Sequence, residues 1–253
     1  MFLSGKTALV TGGSRGIGKA VARRLAREGA RVIVTARTVS DLDAVAAETG
    51  GIAIPLDVSD RAAIAGFIAD LKARDLHVDI LVNNAGIAAS MPFDRTPETL
   101  WDQIFAVNLT APFLLTRGLV PAMITAGGGR VVQIASNAGL TGYAYTSAYC
   151  ASKAALIGYT RSVAMEIARS GVTINAVCPG WVETDMAAAA VQRIVRKTGR
   201  EEADARHTLE VMSPQGRMVT ADEVAHLVAM LCAEESRGIH GQTIAQDGGQ
   251  VLT

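Results

Sequence analysis

Seven short apolar runs rich in β-branched residues alternate along this chain with helical patterns, and that alternation is the strongest limit on how it folds. The runs are KTALVT, ARVIVT, GIAIPL, VDILVN, GRVVQIAS, VTINAVC and GQTIAQ. Between them, apolar residues recur at spacings of three and four over about 16–29, 38–48, 60–74, 97–125, 147–170 and 220–234, which is the period of a helix with one buried face. Strands joined through a helix lie parallel, because a tight hairpin is not open to them, and the crossover is right-handed. Repeated along a chain, this gives an α/β fold, a doubly wound parallel sheet with helices on both faces. No linker, repeat or low-complexity tract breaks the pattern, so residues 1–253 read as one domain.

One connection breaks the rhythm. The stretch PGWVETDMAAAAVQRIVRKTGREEADARHTLEVMSPQGRM separates the sixth run from the helix near 220. It is far longer than an ordinary strand-to-helix connection, and it looks helical itself. Long ordered insertions commonly act as lids or binding loops, so residues of about 184–216 are expected to form a helical lid.

The first run leads straight into Thr11-Gly12-Gly13-Ser14-Arg15-Gly16-Ile17-Gly18, and a helix follows. In that context Gly12 permits a tight turn, Gly16 lets the backbone approach a pyrophosphate, and Gly18 lets the helix pack on its strand. The helix N-terminus then presents unpaired N–H groups to the anion. The second run ends at Thr35-Ala36-Arg37, so no carboxylate stands where an NAD-selective site places one for the ribose hydroxyls. Arg37 and Arg15 offer two guanidiniums instead, which suit a 2′-phosphate, and NADP(H) is preferred over NAD(H). Asp57, with Val58, closes the third run, where it can accept from an adenine amino group. Asn83-Asn84-Ala85-Gly86 closes the fourth, where small residues let backbone and ligand meet. Each of these is also an ordinary strand-end turn by composition.

The stretch SAYCASKAAL places Tyr149 four residues before Lys153. Positions i and i+4 share a helix face, so both side chains can enter one cleft. A free phenol has a pKa near 10, and bringing it to about 7 takes roughly 4 kcal/mol of preference for phenolate. A cation about 4 Å away at an effective dielectric of about 20 supplies roughly that much. Tyr143, Tyr145 and Tyr159 have no lysine at that spacing.

Several function classes fall away on composition. The 24 basic and 24 acidic residues cancel, so no global field draws in nucleic acid or an anionic membrane. No apolar run is expected to reach the length of a membrane span, and the N-terminus lacks the apolar core of a signal peptide. The three cysteines, Cys150, Cys178 and Cys232, form no C-x-x-C pair and read as reduced thiols of a cytoplasmic protein. The four histidines have no metal-ligand spacing, so no metal is expected.

In order and spacing, TGGSRGIG (11–18), NNAG (83–86), Asn108 in VNLT, Ser136 in IAS, YCASK (149–153) and PGWVET (179–184) resemble the classical short-chain dehydrogenases/reductases over essentially the whole chain. The resemblance implies a Rossmann-type sheet of order 3-2-1-4-5-6-7, usually in homotetramers, and an Asn-Ser-Tyr-Lys active site. Tyr149 would then be the proton donor. Lys153 would grip the nicotinamide ribose and tune the phenol, Ser136 would hold the carbonyl oxygen, and Asn108 would anchor a water relay to Lys153. Ser14 and Ile17 would join the phosphate turn, and Pro179, Gly180, Val182 and Thr184 would line the nicotinamide end. Trp181 is a bulky departure inside PGWVET, expected to narrow the substrate pocket.

The substrate reading is a small carbonyl or thioester. Arg193, Arg196, Lys197 and Arg200 fall at i, i+3, i+4 and i+7, on one face of the expected lid. They suit the phosphates of coenzyme A or of a phosphopantetheine arm, or else form a solvated face paired with Glu201, Glu202 and Asp204. The surrounding pattern is similar to reductases and dehydrogenases of 3-oxoacyl and 3-hydroxyacyl thioesters, and to polyketide ketoreductases, whose proline-glycine-glycine segment is missing at 88–94. Gly127 and Ser170 stand where carrier-protein reductases usually show basic residues, which favours an acyl-CoA or a small ketone. A reductase of small or aromatic ketones, and a catalytically silent NADP-binding regulator, stay open beside the thioester reading.

Overall fold

The computed structural model describes residues 1–252; the domain limit expected at Thr253 lies just outside them. The chain runs β1 (Thr7–Thr11), α1 (Gly16–Arg27), β2 (Arg31–Thr35), α2 (Val39–Thr49), β3 (Ile52–Ala53), α3 (Arg61–Ala73), β4 (Ile80–Asn83), α4 (Glu98–Phe105), α5 (Ala111–Thr125), β5 (Gly129–Ile134), α6 (Ser147–Ile167), β6 (Val172–Pro179), α7 (Asp185–Thr198), α8 (Glu202–Glu210), α9 (Ala221–Cys232) and β7 (Thr243–Gln246). All seven strands pair in parallel in the order β3-β2-β1-β4-β5-β6-β7, the expected one.

Both sheet faces are covered, which is why the strands read as nearly unbroken apolar runs rather than alternating ones. Val10, Val32, Val34 and Val82 point to one side and pack with Val21, Leu25 and Val228 of α1 and α9. Leu9, Ile33, Leu81 and Val131 point to the other and pack with Ile64, Phe67, Leu115 and Met123 of α3 and α5. Because every strand runs the same way, the segments that follow them gather along one sheet edge, where open α/β sheets bind ligands.

Three details depart from the sequence reading. The third strand is shorter than GIAIPL. Ile54 N still donates to Val34 O and Leu56 N to Ala36 O, both at 3.0 Å, while the exposed Pro55 between them has no N–H to offer, which an edge strand tolerates. The helix expected over 97–125 is continuous but widens at Ala106–Thr110 into a π-helical turn that holds Asn108. By length and composition, Glu98–Thr125 is apolar enough to cross a membrane, contrary to the expectation for apolar runs. Half of its most apolar window is buried inside the protein, against α3, β5 and α6, so its apolar content is that of a core helix.

The long connection forms α7 and α8, which enclose a small core of Ala187, Ala190, Val191, Ala205, Leu209 and Met218. Gly199, in the left-handed conformation at φ 69°, ends α7. The pair is fastened at its base by a parallel bridge between Val182 and Val219 and by Arg206, which ion-pairs with Glu183 and Glu210.

Candidate active site

The turn after β1 is built for close backbone approach. Gly12 has φ 63°, and a Cβ there would lie 3.0 Å from the Ala85 Cα. A Cβ on Gly18 would lie 2.2 Å from the Gly12 carbonyl oxygen, so only glycine fits where α1 meets the turn. Arg15 precedes α1 without a side-chain cap, and no acidic residue enters the first turn, which leaves the helix N–H groups free for an anion. Ser14 and Ile17 are half-buried in this turn.

The loop after β4 is tied to the turn. Asn84 Nδ2 donates to Thr11 O at 2.8 Å and to Gly12 O at 3.1 Å, and the Asn84 and Ala85 N–H groups both reach Thr11 Oγ1 at 3.0 Å. Thr184 comes in from the other side, its Cγ2 lying 3.3 Å from where a Gly16 Cβ would be. Arg37 is exposed, with no ion pair among the described residues, and Arg15 reaches Asp185 only at 4.0 Å. Asp57 is also exposed and accepts from Ser59 N at 2.9 Å and from Ser59 Oγ at 2.7 Å. Those bonds hold its carboxyl below the usual range, against burial, with Arg37 adding to the effect. Val58 is half-buried against the α3 side of the core.

Asn108, Ser136, Tyr149 and Lys153 come from three segments, the last two both from α6, and converge beside that crevice. Asn108 is buried; its Nδ2 donates to Ile87 O at 2.9 Å and to Ser152 Oγ at 3.0 Å, and its Oδ1 accepts from Ile87 N at 2.9 Å. Ser152 was not anticipated from sequence; it passes the contact on to Tyr149 O at 2.8 Å. Ser136 follows β5, and its Oγ accepts from Ala138 N at 3.1 Å, which leaves its O–H proton for another acceptor. Lys153 Nζ lies 5.8 Å from the centre of the Tyr149 ring and 3.6 Å from where a Gly86 Cβ would be. Tyrosine and lysine therefore share one face of α6, against the loop after β4. Pro179 and Val182 are buried at the end of β6, and Gly180 N donates to Gln246 O at 3.1 Å. Trp181 packs into the small α7–α8 core, which makes it a support of that insertion.

The electrostatics differ from the expectation of a phenol brought close to neutrality. Burial pushes the Tyr149 phenol above its ordinary value, with the Ser136 hydroxyl pulling the other way. Burial likewise lowers Lys153 to about 8, and its ammonium donates to Ile134 O at 2.8 Å. Both groups are thus biased toward their neutral forms, because the surrounding protein solvates charge less well than water. Cys178, behind them, is pushed up to about 11, chiefly by burial.

Sequence reasoning missed Asn137, Asp247 and Gln250, which join across the site. Asn137 Nδ2 donates to Asp247 Oδ2 at 3.2 Å and to Gln250 Oε1 at 3.1 Å. Their one local sign, an aspartate before two glycines in QDGGQ, reads as an ordinary turn.

Residues 6–194 match the family model described as short chain dehydrogenase. The chain is 38% identical over 254 residues to the 3-oxoacyl-(acyl-carrier-protein) reductase of Escherichia coli, covering 100% of both. It is 39% identical over 258 residues to the D-beta-hydroxybutyrate dehydrogenase of Cupriavidus necator, covering 99% of both. Among solved structures, a variant actinorhodin polyketide ketoreductase with NADPH superposes with a TM-score of 0.92 at 36% identity over 97% of each chain. The chain belongs to the short-chain dehydrogenase family and is an oxidoreductase.

Proposed function

We propose that this chain is an NADP(H)-dependent reductase of 3-oxoacyl thioesters, with residues 1–253 forming one catalytic unit and about 184–216 its lid. The observation that carries the reading is the convergence of Tyr149, Lys153, Ser136 and Asn108 on the crevice framed by the glycine turn. When bound there, the dinucleotide supplies a hydride to the carbonyl carbon. The residues at hand fit it: an uncapped helix N-terminus for the pyrophosphate, Gly12, Gly16 and Gly18 for backbone approach, and Asn84, Ala85, Gly86, Pro179, Gly180, Val182 and Thr184 along the wall. Asp57 and Val58 lie at the adenine end. Arg37 and Arg15 have guanidiniums to spare for a 2′-phosphate.

The protein's own part is proton delivery. The Ser136 hydroxyl, fixed by Ala138 N, donates to the carbonyl oxygen and holds it near the phenol. Tyr149 gives that oxygen its proton, and positioned general acids of this kind contribute about 10²–10⁴-fold. Raised above its ordinary value by burial, the phenol stays protonated at neutral pH, which suits a donor in the reducing direction. Lys153 supports the proton transfer from below, and Asn108 braces the α6 backbone through Ser152. Arg193, Arg196 and Lys197 lie on α7, whereas Arg200, expected on the same face, falls beyond the Gly199 that ends the helix; none of the four makes an ion pair among the described residues, which favours a phosphate-bearing substrate over an internally neutralised surface. The name of the E. coli relative supports a 3-oxoacyl thioester, that of the C. necator relative a free 3-hydroxy acid with the oxygen at the same carbon, and the family resemblance supports a cytoplasmic homotetramer. The ketoreductase neighbour keeps the polyketide and small-ketone reading open.

The test is loss of absorbance at 340 nm with NADPH and NADH, against acetoacetyl-CoA, a carrier-bound acetoacetyl group and a panel of simple and aromatic ketones. The reading expects NADPH with acetoacetyl-CoA to dominate. A preference for plain ketones would replace the thioester, and no oxidation with any partner would leave a silent dinucleotide-binding protein. Tyr149→Phe is expected to lower kcat by about 10²–10⁴-fold with NADPH affinity, followed by cofactor fluorescence, within about two-fold.

A further inference from the structure

Ser136 is followed by a segment with little regular structure. After the short turn Asn137–Gly139, residues 140–146 reach α6 as a loop, and Tyr145 in it has φ 66°. Backbone hydrogen bonds tie the loop partly to itself and, through Met91 N donating to Tyr145 O at 2.7 Å, to the segment after β4. Leu140 N and Thr141 N donate to Asn137 O, and Thr146 donates to Tyr143 O. The side-chain tie to distant chain is that of Asn137, which is 5% exposed and reaches Asp247 and Gln250 across more than a hundred residues of sequence.

Asp247 is 4% exposed and fully engaged. Its Oδ1 accepts from Gly249 N and Gln250 N at 3.1 Å each, and its Oδ2 from Val251 N at 3.0 Å as well as from Asn137. The same turn touches the other walls of the crevice. A Cβ on Gly180 would lie 2.8 Å from the Asp247 Cβ, and one on Gly248 would lie 2.1 Å from Ser213 Oγ, at the end of the α7–α8 insertion. The Tyr143 hydroxyl of the same loop is buried against this cluster: burial and the Asp247 carboxylate push its phenol above the ordinary value, while the Asn137 and Gln250 side chains pull the other way. On the opposite side Gly139 leaves no slack, since a Cβ there would lie 2.8 Å from the Lys153 carbonyl carbon.

We propose that Asn137, held by Asp247 and Gln250 of the C-terminal turn, is the positioning residue for Ser136. A side-chain amide fixed immediately after Ser136 sets the backbone that aims its hydroxyl, and a displacement of about 1 Å in such a group can cost about 10²-fold in rate. The hook also makes the C-terminal turn part of the active-site wall. It rests on the catalytic reading of Ser136 given above.

The experiment is a double-mutant cycle with NADPH and the best substrate of the panel. Asn137→Ala is expected to lower kcat about 10- to 100-fold, with NADPH affinity within two-fold. Ser136→Ala is expected to lower it at least as far, and adding Asn137→Ala to Ser136→Ala should cost under about two-fold more, because the amide acts through that hydroxyl. Gln250→Ala, at a half-buried position, should give the same pattern at a few-fold and serves if Asn137→Ala folds poorly. Full additivity in the cycle, or a kcat for Asn137→Ala and Gln250→Ala within two-fold of the parent, overturns the positioning role while leaving Ser136 in place. A fully active Ser136→Ala would overturn the underlying reading of the site instead.

Discussion

Lys153 is a base placed where water barely reaches it. Its folded pKa of about 8 lies below the ordinary 10.5 because burial penalises the ammonium. Between those values the unfolded chain binds more protons than the folded one, so stability rises with pH from about 8 toward 10.5. Below pH 8 the folded state carries the whole cost of the buried charge. Lys153→Met is therefore expected to stabilise the dinucleotide-free protein at pH 7 by about 1–3 kcal/mol, less whatever is lost with the bond to Ile134, and to abolish turnover. Thermal melting between pH 7 and 9.5 checks it; a variant that melts lower at pH 7, or that keeps the parent's pH slope, contradicts the account. Arg37 carries the second residue-scale prediction. With no carboxylate at Ala36 and a free guanidinium beside it, Arg37→Asp should remove the contact to a 2′-phosphate and supply an acceptor for ribose hydroxyls. The ratio of kcat/KM for NADPH to that for NADH should fall by 10-fold or more; an unchanged ratio would show that Arg37 is only a solvated side chain.

At the scale of elements, α7 sets the substrate question. Its last turns hold Arg196 and Lys197 at the negative end of the helix, where cations are favoured for the macrodipole alone. A phosphate role must therefore show in kinetics. Arg196→Glu with Lys197→Glu should raise KM for acetoacetyl-CoA about 10-fold or more, the size of a few charge-assisted bonds, and leave KM for ethyl acetoacetate within two-fold. Equal effects on both substrates would assign these residues to the helix and not to the ligand. The alternative pairing with Glu201, Glu202 and Asp204 is absent among the described residues; Arg206 makes the ion pairs of this insertion, with Glu183 and Glu210. Its acidic partners sit on the stem and on α8, a placement that helical spacing within α7 does not reveal.

At the scale of the whole molecule, the proposed assembly of four copies is a prediction from the family resemblance. Light scattering is expected to give four times the 26.4 kDa chain mass; a monomer at working concentration would contradict it. The layered sheet was legible because buried parallel strands and amphipathic helices write different periods into the chain; its strand order came only with the family resemblance, carried by TGGSRGIG, NNAG and YCASK, contiguous stretches whose spacing survives without a structure. The positions of Tyr149 and Lys153 on one face follow from helix geometry alone. Their ionisation did not follow. The sequence argument weighed one ammonium against one phenol, whereas the fold buries both and turns the ammonium toward Ile134 O, so desolvation outweighs attraction. The π-helical turn at Asn108, the seating of Trp181 under α7 and the hook from Asp247 to Asn137 were likewise out of reach. Each depends on contacts between segments that are far apart in sequence. Local pattern, through side-chain period and turn chemistry, determined which elements form and in what order. Charge state and aim in the crevice were decided only when the folded chain replaced water around those side chains with its own packed atoms.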